Sequence, residues 1–421
     1  MIKTIAIYAV SEVYGGVEVL TSRFCDYLQE KQIKFVLITR KKTRISEKLK
    51  WAPQVTPEKI DEINGEISHL LLPSITFILN DIPWNQLHNV KILSWIVHPT
   101  SIYTAFFPGS YESLGKVGFF PSRLLSLLFF RHHVRVSNLF CQALEKNALI
   151  AMDGATKRCL NFFYPKTKNS KCPIVPIPTT QPSRAMKKRH FLDKNSISIG
   201  YLGRLNEFKL SAINSFIEEN ILFLENKYKH IHLHIVAEGE SIDKLSKLCN
   251  EKNIIIHKHG FQSNDKAKET ISKQTDLAIC MGTAALDIAS SGHPCIIIDP
   301  IHKKTFKNQE KYRFVHEIDE FTLGEYQDFP HYKRGLHSLE EVIEAMKVNP
   351  SMGEAGREYV ENNHNPNKSF QLLVDHITAS TMRIKDIKNE IQLLKKSKDN
   401  CEMTLDKIRN VFFLKSFWHR I

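Results

Sequence analysis

Short apolar runs alternate with helix-like stretches along this chain of 421 residues, and they do so in two separate series. The first series comprises Thr4–Val10, Phe35–Thr39, Ile67–Leu72, Ile92–Val97, Ala148–Ala151 and the proline-bounded Cys172–Ile177, with an amphipathic helix over Val17–Gln29. The second comprises Ile197–Leu202, Ile231–Ala237, Ile254–His257, Leu277–Cys280 and Cys295–Ile298. Runs too short for helices, each followed by a helical pattern, argue for parallel, doubly wound sheets. Between the series, 181–195 carries Pro182, Ser183 and the basic cluster Arg184, Lys187, Lys188 and Arg189, and reads as a linker. A chain of this length exceeds one core. The expectation is an α/β protein with two Rossmann-like doubly wound domains, 1–180 and 196–360, facing a cleft. A closing helix over 361–379, centred on Asn365–His376, and a helical tail over 380–421 complete it.

The tail has its own pattern. Positions 377, 380, 384, 387, 391, 394, 398, 401, 405, 408 and 412 step by three and four, and all but Ser380 and Lys398 are apolar. Such heptads predict a coiled coil and hence a homodimer through 380–421. A single amphipathic helix docked on the body or on a membrane fits the same periodicity. The aromatic end, 411–421, and the segment 119–135, where FFPSRLLSLLFF runs into Arg131, His132, His133 and Arg135, suit peripheral contact with an anionic membrane. A buried helix with a basic end is the alternative for 119–135.

The net charge of +13 suits phosphorylated ligands, anionic lipid or nucleic acid. Zinc-finger spacing and RNA-recognition aromatics are missing, so nucleic acid is not expected. The eight cysteines form no CxxC pair, and Cys280 and Cys295 lie in apolar strands. This argues against a disulfide framework or a structural zinc site. Ile2–Val10 is short and meets Glu12, so it reads as a strand and not a signal peptide. The localisation expected is cytoplasmic, with the inner membrane face as the peripheral alternative.

The chemistry concentrates where strands end. Gly203-Arg204-Leu205-Asn206-Glu207-Phe208-Lys209 follows the strand Ile197–Leu202 and leads into a helix expected near Ser211. Glycine permits a tight turn and close backbone approach. Arginine grips phosphate with paired hydrogen bonds and lysine adds a mobile charge. Open α/β sheets bind ligands at this edge. Gly15-Gly16-Val17-Glu18 opens the first helix, where backbone N–H groups meet anions. Ala237-Glu238-Gly239-Glu240 ends another strand. Met281-Gly282-Thr283 leads into a helix whose Asp287 can accept hydrogen bonds from sugar hydroxyls or interact with the helix dipole. His98 ends the run Trp95-Ile96-Val97-His98-Pro99 and reads either as a proton-transfer group or as a structural residue. His132, His133, Asp26 and Asp153 have no evident partners in the sequence. With no DxD, no metal-binding acidic pair is expected.

Taken in order, GG-x-E, GRL-x3-K, a strand ending in E-G-E and G-T-A-A-L-D-I-A-S-S-G-H-P resemble the GT-B glycosyltransferases, in particular the family 4 type. Pro176-Ile177-Pro178 is similar to that family's exit from the N-terminal domain. The resemblance covers roughly 1–378 and is better in the second half. It implies that Arg204 and Lys209 contact the donor diphosphate, Asp287 the donor ribose and His98 the donor sugar. It further implies a retaining transfer from a nucleotide sugar to a growing glycan or lipid-linked acceptor, without metal or cofactor. The setting it implies is bacterial surface polysaccharide or lipopolysaccharide assembly. One departure stands out: the family's first glutamate is missing, and Ile279 occupies the place eight residues before Asp287. A degenerate GT-B glycan-binding or scaffold protein acting through its tail, and a nucleotide-sugar epimerase, remain alternatives.

Overall fold

The computed structural model describes residues 3–10, 15–73, 86–99, 102, 130–179, 195–239, 241–301, 311–327, 329, 332–394 and 396. It divides into two compact units. Residues up to Pro178 and from Asn367 onward form one, and Thr179–Pro366 form the other. The linker expected over 181–195 lies almost wholly outside the described residues.

In the first unit the strands are β1 (Ile5–Tyr8), β2 (Phe35–Ile38), β3 (Gln54–Val55), β4 (His69–Leu72), β5 (Lys91–Ile96) and β6 (Leu149–Ala151). They form a parallel sheet in the order β3-β2-β1-β4-β5-β6. Every residue of β1, β2, β4 and β6 is buried, as in a sheet covered on both faces. The helices are α1 (Gly16–Glu30), α2 (Arg44–Lys48), α3 (Phe130–Glu145) and α4 (Gly154–Phe163). Cys172–Ile177, expected as a strand, makes only a single bridge, Ala151 to Ile174. Pro173, Pro176 and Pro178 have no N–H to donate, so a continuous ladder cannot form there. The segment is nonetheless fixed, because Trp95 Nε1 donates to the Val175 carbonyl at 3.2 Å.

The second unit has β7 (Ser196–Leu202), β8 (His230–Val236), β9 (Ile255–Lys258), β10 (Leu277–Cys280), β11 (Cys295–Ile297) and β12 (Arg313–Phe314) in the order β12-β11-β10-β7-β8-β9. Only the edge strand β12 runs antiparallel among the described pairs. Its helices are α5 (Glu207–Lys227), α6 (Ile242–Glu251), α7 (Asn264–Gln274), α8 (Thr283–Ala289), α9 (Leu339–Val348) and α10 (Met352–Asn363). The chain passes from β7 outward through β8 to β9, and later places β10 and β11 on the other side of β7. The connectivity therefore switches between β7 and β10, the position where open α/β sheets leave a crevice beyond their strand ends.

The last described segment belongs to the first unit. α11 (Pro366–Ala379) adds Phe370, Leu373 and Ile377 to the core built around Ile5, Phe24 and Trp95. The expected continuous heptad helix is interrupted after Ala379 and resumes over 384–394. Across the break the backbone pairs with the body: Ile92 N–H donates to the Met382 carbonyl at 2.9 Å and Ile384 N–H to the Val90 carbonyl at 3.1 Å. Ser380 Oγ donates to the Ile92 carbonyl at 2.5 Å. The seam positions Ile377, Ser380, Ile384, Ile387, Ile391 and Leu394 are all buried within this chain. The coiled-coil expectation therefore gives way to the docked helix over the described part of the tail, while positions 398–412 and the aromatic end lie outside the described residues. Of the segment 119–135, only 130–135 is described. Phe130 is exposed, His132 is buried and the His133 ring stacks on Tyr164 at 5.2 Å. Among the described residues no helix is long and apolar enough to cross a membrane.

A column of histidines runs along the β8–β9 edge, which the sequence reading overlooked. His232 Nδ1 lies 3.0 Å from His257 Nε2, and His234 Nδ1 lies 3.1 Å from both His259 Nε2 and Gln274 Oε1. The His234 and His257 rings stack with centroids 4.3 Å apart. Burial, followed by the charges of His257 and His259, lowers the His234 pKa from 6.5 to about 4. The sign follows from linkage. Above pH 6.5 the ring is neutral whether the chain is folded or not. As pH falls from 6.5 towards 4, only the unfolded chain takes up the proton, so stability present at neutral pH is lost. Between pH 7 and pH 5, urea unfolding of the wild type should lose about 1–2 kcal/mol more than that of His234→Gln. Equal losses would show that this ring does not set the acid sensitivity.

Candidate functional site

The loops after β10, β7 and β8 lie side by side at the switch point, and they carry most of the residues singled out from sequence. After β7, Gly203 takes φ +145°, a conformation that favours glycine. Asn206, and not a residue near Ser211, begins the following helix. Its side chain caps α5 by accepting from Lys209 N–H at 3.4 Å. Lys209 is thereby lifted out of the loop and into the first turn, where its ammonium folds back: Nζ would lie 3.8 Å from a Cβ at Gly203. Burial first, and then the neighbouring Arg204 charge, lowers the Lys209 pKa, while Cys280 at the end of β10 opposes the shift. Lys209 thus sits between the ends of β7 and β10. Arg204 is exposed beside it, and its carbonyl accepts from Tyr201 Oη at 3.4 Å.

The neighbouring loop braces this turn. Gly203 N–H donates to the Val236 carbonyl at 3.1 Å, and Leu205 N–H to the Glu238 carbonyl at 2.9 Å. A Cβ at Gly239, which has φ +138°, would fall 2.2 Å from the Leu205 carbonyl oxygen, so the two loops touch through backbone. Glu238 itself is exposed. On the other side Gly282, with φ +62°, precedes α8, and its N–H donates to the Leu323 carbonyl at 2.8 Å. Thr283 is half-buried and opens the helix. Asp287 lies further along, largely buried, and accepts from Thr179 Oγ1 at 3.2 Å. That threonine was not anticipated, since the two residues are far apart in sequence. Ile279 is fully buried within β10, so the register that would place a glutamate there falls in the core.

Gly15, Gly16 and His98 are in the first unit. Gly15 caps α1, and its N–H donates to Glu18 Oε2 at 2.7 Å, so this amide is engaged by the chain's own carboxylate. A Cβ at Gly16 would meet nothing within 4 Å. His98 follows β5 and is half-buried. Asp153, without an evident partner in the sequence, caps α4 by accepting from Thr156 N–H at 2.7 Å. Burial and then the Lys48 charge act in opposite directions on Asp26, with burial prevailing and raising its pKa. Among the described residues no group of three or more His, Cys, Asp or Glu is placed to hold a metal ion, and the seven described cysteines are free thiols.

No family model matches the sequence, and no curated protein does. Solved structures do match. A glycosyltransferase from Rickettsia africae superposes with a TM-score of 0.57 at 13% identity, covering 89% of this chain and 97% of that one. HepE from Anabaena, in complex with UDP and glucose, gives 0.53 at 10% identity, covering 90% and 100%. The lipopolysaccharide outer core galactosyltransferase WaaB gives 0.54 at 10% identity, covering 89% and 99%. The fold is therefore the GT-B fold of these glycosyltransferases: two α/β units, each with a doubly wound, mainly parallel sheet.

Proposed function

We propose that this protein is a glycosyltransferase that moves a sugar from a nucleotide-sugar donor to a growing glycan or lipid-linked acceptor. The observation that carries the reading is the cationic pair Arg204 and Lys209 at the switch point, with Lys209 held over Gly203 between the ends of β7 and β10. When the bond between the anomeric carbon and the diphosphate breaks, negative charge grows on the leaving group. An exposed arginine and a half-buried ammonium stabilise it there, the ammonium in the manner of a preorganised electrostatic site. Gly282, Thr283 and Gly239 let backbone approach the diphosphate, and Asp287 takes the donor ribose. His98 keeps the role that the family resemblance gives it, a contact with the donor sugar. The UDP in HepE and the lipopolysaccharide substrate class in the name of WaaB support a nucleotide donor and a bacterial surface-glycan setting. Retention of the anomeric configuration and independence from metal belong to the same proposal, as does action in the cytoplasm or at its membrane face. Self-association through 380–421 would use surfaces other than the described seam residues, because those are already covered.

The buried Ile279 keeps a second reading in view, a GT-B protein that binds donor or glycan without turnover. A panel of nucleotide sugars followed by nuclear magnetic resonance separates the two. The proposal expects one donor to be hydrolysed or transferred in excess chelator, with the anomeric configuration kept. Binding without turnover favours the second reading. Inversion of a ring carbon without an acceptor would identify an epimerase.

A further inference from the structure

Asp299 lies beyond β11 and is completely buried, yet it is not part of the pocket described above. Its carboxylate gathers a loop. Oδ1 accepts from Arg313 Nη2 at 2.9 Å and from Glu325 N–H at 2.9 Å, and Oδ2 accepts from Tyr332 Oη at 2.8 Å. Its carbonyl accepts from Gln327 Nε2 at 3.1 Å. Arg313 also donates to the Lys333 carbonyl at 3.1 Å, and the Glu325 carboxylate accepts from Lys333 N–H at 3.3 Å. Arg313, Glu325, Gln327, Tyr332 and Lys333 are therefore drawn around one buried anion at the end of the sheet.

This same loop supplies the partner of the Gly282 turn. Leu323, two residues before Glu325, provides the carbonyl that accepts Gly282 N–H at 2.8 Å. Gly324, at φ +142°, lies against the ends of β10 and β11: a Cβ there would be 3.5 Å from Pro300 Cδ and 3.6 Å from Met281 Cβ. Just upstream, Glu320 and Phe321 both take positive φ, at 44° and 62°. Two successive non-glycine residues in that region persist only where the surroundings hold them. The Phe321 ring packs edge-on to His364.

We propose that Asp299 is a positioning residue for donor binding: with Arg313 and Tyr332 it fixes the stretch carrying Leu323 and Glu325 so that the Leu323 carbonyl sets the Gly282–Thr283 turn in the shape that receives a diphosphate. The proposal rests on the reading that this turn meets the donor. Asp299 touches no substrate. It acts by holding the geometry of groups that do, where small displacements are costly.

The test uses the full chain and two readouts. Tyr332→Phe removes one hydrogen bond and keeps the ring, and Asp299→Asn keeps the shape but removes the charge and one of the two acceptor oxygens. Thr275→Val is the control, removing a buried hydroxyl that contacts His293 Nε2 at 3.0 Å at the opposite end of β10. Amide exchange is followed at Gly282, and the affinities for UDP, GDP and ADP are measured by calorimetry. Tyr332→Phe and Asp299→Asn should speed exchange at Gly282 and weaken the bound diphosphate about tenfold. Thr275→Val should do neither, whatever it does to the melting temperature. If wild type binds and Arg204→Ala does not, but Tyr332→Phe leaves both readouts unchanged, the positioning role is overturned and the donor site stands. If wild type binds none of the three, or Arg204→Ala and Lys209→Ala both bind as well as wild type, the donor reading falls and this proposal falls with it.

Discussion

Arg204→Ala and Lys209→Ala should each weaken nucleoside diphosphate binding by about 1.5–3 kcal/mol, the range for a lost hydrogen bond between charged groups. The two losses should differ. Arg204 is exposed and screened by solvent, whereas Lys209 is half-buried between the ends of β7 and β10. Coulomb interactions strengthen as water is excluded, so Lys209→Ala should be the more damaging. The pair acts on one ligand, so the double variant should lose less than the sum. The lowered Lys209 pKa adds a pH signature. The ammonium is present at neutral pH and is lost as pH rises, sooner than for an ordinary lysine at 10.5. Wild-type affinity should therefore decline on the alkaline side at a pH below that value, and Lys209→Ala should lack this limb. Calorimetry across pH checks both points. Unchanged affinity in both single variants would remove the donor assignment.

The central strands and this turn were readable because each residue type had one physical reason to be there. Leu277–Cys280 is a strand with the expected bounds because it is buried on both faces and reads as an unbroken apolar run. Gly203 was legible as a turn, and its positive φ explains the residue. Gln54–Val55 and Arg313–Phe314 were not seen, since two-residue edge strands carry no periodicity. The start of α5 was misplaced because Asn206 was read as loop and not as a cap. Asp299 escaped notice for a different reason. Its partners Arg313, Glu325 and Tyr332 lie 14, 26 and 33 residues away, and only folding brings them together. The tail was ambiguous in principle, because a seam that pairs with a second helix and one that pairs with the body have the same spacing.

That ambiguity leads to the largest stability effect expected for this chain. A protein ending at Ala379 should fail to hold its first unit. The removed segment contains Met382, Ile384, Ile387, Ile391 and Leu394, each at most 1% exposed. At about 1.5–3 kcal/mol for each fully buried side chain, their loss is of the order of 10 kcal/mol, as large as the whole stability of a typical domain. The backbone partners of Val90, Ile92 and Lys146 would be lost as well. Because truncation on this scale reports only collapse, Ile387→Ala is the sharper variant. It should destabilise the first unit by about 2–5 kcal/mol, the usual cost of an Ile-to-Ala cavity. The melting temperature should fall without becoming more dependent on protein concentration, and the mass from light scattering should not change, since the contact is within one chain. A helix that instead paired with a second copy would lose mass in Ile387→Ala and show a concentration-dependent transition in the wild type. Either result would mean that the seam over 384–394 is shared between chains, and the docked helix would have to be abandoned.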